Sequence, residues 1–119
     1  MVVAFESIRP DDPLFRRIRR VHIVDGRVHR TAYYVRGGPD AHASADLARL
    51  TSPDASAARG KQGTGVGVVL AEAAISQGLA VRHDPEPDWY PHSLIEVITS
   101  KQHCILLAEA TEVVLNPTA

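Results

Sequence analysis

Residues 79–98 read LAVRHDPEPDWYPHSLIEVI. Two strand-like runs, LAVRH and SLIEVI, flank a segment carrying three prolines and three carboxylates. Proline fixes φ and lacks a main-chain donor, so the segment reads as a stiff break between two strands. An antiparallel pair closed by this loop predicts that His83 and His92 face each other at its base. Asp84, Glu86 and Asp88 would stand above them, and Trp89 and Tyr90 would form a lid or a contact surface.

The same logic extends toward the N-terminus. In LFRRIRRVHIVDGRVHRTAYYV, residues 14–35, Asp25-Gly26 is a strong signal for a two-residue hairpin turn. β-Branched and aromatic residues on both sides predict strands over about 18–24 and 27–35. Leu14 to Ile18 is an earlier strand or a short helical turn. RGGPDAHAS reads as a loop, and ADLARL as either strand or helical turn. In TSPDASAARG, Ser52 suits an N-cap, Pro53 the first helical position and Asp54 the positive end of the helix dipole, with Gly60 ending the helix.

KQGTGVG reads as a flexible linker. VVLAEAAISQG is a helix ending at Gly78, with a strand over Val66 to Leu70 as the competing reading. TSKQ has the form of a capping box on Thr99 and Gln102. It would open a C-terminal helix with Leu106, Ala110 and Val113 on one stripe, against a competing strand reading for TEVVL. The order of elements gives a single α+β domain over 1–119, mainly an antiparallel sheet of four to six strands with two or three short helices.

Composition bounds the function. A chain of 119 residues with 45% apolar residues can bury a core without disulfide or metal. With aromatics at 5%, that core must be built from aliphatic residues. Cys104 is the single cysteine, which fits a reducing cytoplasm. The opening residues do not resemble a signal peptide, and no apolar run approaches the ~20 residues of a membrane helix. Abundant alanine and arginine with scarce lysine suggest a GC-rich bacterial genome. Residues 1–36 hold eight arginines against four acids, and the remainder carries a net charge of −5. The basic third either neutralises the rest or faces an anionic partner.

The candidate sites are four. RGKQGTGVG, residues 59–67, lacks the order of a P-loop and follows a helix rather than a strand, so a linker is preferred to a nucleotide site. Arg16, Arg17, Arg19 and Arg20 could hold phosphate, although an extended backbone splits them between two faces. His22 and His29 become cross-strand neighbours about the Asp25-Gly26 turn, with His42 nearby, but no third metal ligand is visible. His83 and His92 could serve as general acid and base, or with the loop carboxylates as metal ligands. Cys104 reads as a buried, inert thiol. No motif calls for a cofactor.

The segments DDPLFRRI, DGRV, SADLARLTSP, GLAVRHDPEP and PHSLI together resemble a set of short bacterial proteins with a Leu-Phe-Arg-Arg start and a final His-Asp-Pro…His pattern. The likeness spans about residues 11–96. It implies that Arg16, Arg17, Ser44, Asp46, His83 and His92 belong to one pattern, and it implies no activity, cofactor or partner.

The reading that follows is a small cytoplasmic bacterial accessory or protein-interaction module. It would contact a protein partner, or a second copy of itself, through Trp89 and Tyr90. The alternatives are a small enzyme or toxin acting on RNA or a nucleotide, with Arg16 and Arg17 on phosphate and His83 and His92 transferring protons, and a histidine metal-binding protein. Nucleic acid is the less favoured partner, and no membrane association is expected.

Overall fold

The computed structural model describes residues 4–35 and 41–119. In chain order the elements are β1 (Pro13–Ile18), β2 (Ile23–Val24), β3 (Arg27–Val28), β4 (His42–Leu47), α1 (Pro53–Ala58), β5 (Gly65–Leu70), α2 (Glu72–Ile75), β6 (Ala80–His83), β7 (His92–Glu96), α3 (Lys101–Glu109) and β8 (Glu112–Leu115). Six strands form one antiparallel sheet in the order β6-β7-β4-β1-β5-β8, and β2 and β3 form a separate ribbon. The architecture is α+β.

Residues paired directly across an antiparallel ladder share a face, and alternation fixes the rest. One face carries Leu14, Ile18, Ala43, Ala45, Leu47, Val69 and Ile95, all buried. The 3-10 turn Arg30–Tyr33, α2 and α3 close over it with Tyr33, Ala74, Leu107 and Ala108. The Tyr33 hydroxyl is satisfied inside this core by the Thr111 hydroxyl at 2.7 Å. The opposite face begins apolar and ends polar. Phe15 and Val66 are buried where α1 packs on β1 and β5, whereas β4 and β7 present His42, Ser44, Asp46 and His92.

Several expectations need correction. The first hairpin keeps only the pairs Ile23–Val28 and Val24–Arg27, because 3-10 turns at Arg20–His22 and Arg30–Tyr33 interrupt both predicted strands. Its turn is as expected, with φ of 52° at Asp25 and 75° at Gly26. Residues 42–44 of the predicted RGGPDAHAS loop are strand, and its residues 36–40 lie outside those described. The linker glycines belong to β5: a Cβ at Gly65 would stand 2.4 Å from the Leu115 carbonyl, and one at Gly67 2.5 Å from Thr111. They are small so that β8 can approach, which leaves no phosphate loop there. The strand reading therefore wins at 66–70, leaving α2 as one turn that ends before Gly78 at φ 82°. The last helix is capped by Ser100, whose hydroxyl accepts from the His103 amide, rather than by Thr99. It buries Cys104, Leu107 and Ala108 and leaves Leu106 exposed, and EVVL forms β8 instead of extending it.

Candidate functional site

The 84–91 loop is tied down from beneath. The Asp84 amide donates to the His92 carbonyl at 2.8 Å, so Asp84, not His83, stands opposite His92. His83 pairs with Ser93. His83 consequently points to the core face with Ser93 and Ile95, and His92 to the opposite face with Asp46. The predicted acid–base pair is not formed, because the shift of one residue in pairing reverses the side-chain parity.

The two imidazoles are also held as opposite tautomers. The Glu6 amide donates to His83 Nδ1 at 2.9 Å, so that nitrogen carries no proton. His83 Nε2 then donates to the Tyr90 carbonyl at 2.6 Å. Both ring nitrogens are consumed, and Phe5 and Tyr90 pack edge-on against the ring. At His92 the Asp84 carbonyl lies 2.8 Å from Nδ1 and the Asp84 carboxylate 3.2 Å from it. Both partners can only accept, so Nδ1 carries the proton. Nε2 is left with a lone pair, and the Ser44 hydroxyl lies 3.3 Å away.

Beside this group, the buried Asp46 carboxylate accepts from the Ser56 hydroxyl at 2.5 Å and from the Trp89 indole at 2.8 Å. Hydrogen bonds to a buried carboxylate each contribute roughly 1.5–3 kcal/mol. They therefore fasten both α1 and the loop to β4. The Arg59 guanidinium sits 5.0 Å over the Trp89 ring and reaches Asp88 at 3.2 Å. Glu86 and Trp89 exchange main-chain hydrogen bonds at 3.1 Å, making Pro87-Asp88 the tip of a tight turn. Outside it, Ala4 and residues 85–90 line a mainly apolar groove of about 730 Å³.

The arginines separate in the same way as the histidines. Arg16 lies on the core face. Where the β1–β4 ladder stops after Phe15, its guanidinium donates to the Ser44 carbonyl at 2.7 Å and twice to the Ala32 carbonyl, at 2.9 and 2.8 Å. Burial pulls its pKa below the ordinary value. Its donors are spent on the main chain, so the predicted phosphate role does not fit it. Arg17 lies on the His92 face, half-buried, and among the described residues it makes no ion pair or hydrogen bond. Arg19 turns to the Ala119 main-chain oxygen. The cluster is thus not one patch.

His22 and His29 are neighbours through the His29 amide and the His22 carbonyl, but each ring accepts a local amide, from Arg19 and Thr31 respectively. Among the described residues no three His, Cys, Asp or Glu side chains are placed to hold a metal ion. Burial raises the pKa of the Cys104 thiol, and the group faces the Tyr33 carbonyl. That is inert packing. No described helix is long and apolar enough to cross a membrane.

Ser44 and Asp46 escaped the chemical reading of the sequence. The usable signal was the alternation in HASADL, where small apolar residues mark one face and His42, Ser44 and Asp46 the other. No family model, curated protein or solved structure matches the chain.

Proposed function

We propose that the protein is a small interaction module that binds a protein partner on residues 85–90. The observation that carries this reading is the apolar groove lined by Ala4, Pro85, Pro87, Trp89 and Tyr90 on a loop fixed by partly buried hydrogen bonds. A surface already rigid before binding loses little entropy on association. Aromatic side chains in such a setting are the usual anchors of binding energy. Tyr90 and Phe5 extend the patch, exposed by 39% and 68%.

The rim supports a partner of basic character. Glu86 is exposed and, among the described residues, makes no ion pair, and Asp88 is shared only with Arg59. A segment with an apolar residue beside a lysine or arginine is complementary. The outer edge of β6 lies alongside. Since the Asp84 amide faces β7, alternation turns the main-chain groups of the half-buried Val81 outward, where an extended segment can pair with them. The setting proposed is the bacterial cytoplasm, on the lone cysteine and the arginine-rich composition.

A photo-reactive residue at position 87, in cells, tests the proposal. One adduct with a different protein is expected, lost in Glu86→Lys and in Tyr90→Ala. An adduct of two copies of this chain would replace the partner by self-association. Absence of any adduct, or an adduct indifferent to both substitutions, overturns the reading.

A further inference from the structure

We propose that Ser44, His92 and Asp84 form a nucleophilic triad that cleaves carboxylic esters bearing a negative charge. The geometry is that of a hydroxyl activated by an oriented imidazole. The Ser44 hydroxyl lies 3.3 Å from His92 Nε2, and the Asp84 carboxylate 3.2 Å from Nδ1. Nucleophile–base hydrogen bonds of this length are common before substrate arrives. The tautomer follows from the Asp84 main-chain carbonyl, which obliges Nδ1 to hold the proton and leaves Nε2 as the base.

The surroundings support each member. His92 is buried, so its ring is held in one orientation, while Ser44 is half-buried and remains within reach of solvent. Arg82 contacts the other oxygen of the Asp84 carboxylate at 3.3 Å and helps to hold it in place. Ser44 sits in mid-strand, and the Arg16 guanidinium holds its carbonyl from the opposite side, so the nucleophile stands on rigid backbone. Arg17, two residues beyond Phe15 on β1, occupies the same face as Ser44, two residues before Asp46 on β4. A guanidinium with no ion pair among the described residues there selects a substrate carrying a carboxylate or other anionic group.

In the reaction the Ser44 oxygen adds to the ester carbonyl and its proton passes to His92 Nε2. The carbon–oxygen bond to the alcohol breaks, and the alcohol leaves with that proton. Water, deprotonated by His92, then releases the acid and restores the serine. Asp84 is a positioning residue, since it acts through the imidazole.

The test uses the full chain and a fluorophosphonate probe, in which the Ser44 oxygen–phosphorus bond forms as fluoride leaves. A single adduct mapped to Ser44 is expected, absent in Ser44→Ala and slowed about 10²–10⁴-fold in His92→Gln. No adduct, an adduct at another residue, or labelling unchanged in His92→Gln overturns the proposal. Should His92→Gln not fold, ¹⁵N shifts of His92 in the unaltered protein decide: a neutral ring protonated on Nε2 refutes the triad. Asp84→Asn should slow labelling about tenfold while those shifts still report a proton on Nδ1. For substrate class, the mono-p-nitrophenyl ester of succinate should turn over faster than p-nitrophenyl acetate, and Arg17→Leu should erase the difference. Equal rates in the unaltered protein overturn the assignment to anionic esters.

Discussion

His83 and His92 belong to adjoining strands and bracket one loop, yet they are opposites. His83 faces inward, takes a proton donor on Nδ1, and spends Nε2 on the Tyr90 carbonyl. His92 faces outward from the core, donates a hydrogen bond from Nδ1 to Asp84, and presents Nε2 to a serine hydroxyl. Arg16 and Arg17 repeat the contrast, one spent on three carbonyl contacts and the other without a hydrogen bond or ion pair among the described residues. Residue type is the same in each pair. What differs is the kind of partner the fold supplies: His83 and Arg16 are spent on main-chain groups, whereas His92 Nε2 meets a side-chain hydroxyl and Arg17, among the described residues, meets no hydrogen-bonding partner. A group spent on the main chain is structural, and one facing a hydroxyl or no partner is available for chemistry or recognition.

The arginines should show the largest difference. Arg16→Leu removes every donor to the Ala32 carbonyl side of the turn and strands the Ser44 carbonyl, at a cost of about 3 kcal/mol. Arg17→Leu should stay within about 0.5 kcal/mol of the unaltered protein. Urea unfolding of the two variants measures both. Similar losses would dissolve the distinction between the faces.

The histidines sharpen it. His83→Phe keeps the ring packed on Phe5 and Tyr90 but leaves the Glu6 amide and the Tyr90 carbonyl without their partner. A loss of about 2 kcal/mol follows, with fluorophosphonate labelling of Ser44 unchanged. Labelling that falls together with stability would show the two faces to be coupled.

A smaller effect is expected from Trp89→Phe, which preserves the stacking platform for Arg59 and deletes only the indole donor to Asp46. The cost is about 1.5 kcal/mol, read as a shift of the urea midpoint with unchanged slope. No shift would mean that the Ser56 hydroxyl alone satisfies Asp46.

Local chemistry was legible in the sequence, and parity was not. Ser52, Pro53 and Asp54 announce α1, and Asp25-Gly26 announces its turn, because each is decided by neighbours in the chain. The two strands around 84–91 were legible as well. Which faces their histidines take was not, because it depends on whether Asp84 or His83 pairs with His92, a difference of one residue that reverses every side chain. The triad joins Ser44 to a residue 48 positions away. Such a pairing is fixed by the order of strands in the sheet, which no local pattern specifies. The C-terminal strand fell between these cases: EVVL carries strand propensity, but only the close approach permitted by Gly65 and Gly67 decides it.

The smallest effect belongs to the cover over His83. Glu6 accepts from Arg49 at 2.6 Å and from the Tyr90 hydroxyl at 3.0 Å, and these hydrogen bonds, the Arg49 one foremost, hold its pKa below the ordinary value of 4.5. Because the folded value is depressed, the unfolded chain binds more protons just below pH 4.5. The stabilisation is present above that pH and is lost as pH falls through the folded value. Acid should therefore loosen the segment around Glu6 from His83, seen as faster hydrogen exchange at the Glu6 amide. Glu6→Gln should remove this acid-dependent part and leave exchange at the β4–β7 ladder unaltered. Arg49 and Tyr90 are exposed and Glu6 half-buried, so about 1 M salt should shrink the effect by screening. An acid response that survives both Glu6→Gln and salt would show that the Glu6 carboxylate is not what ties this segment over His83.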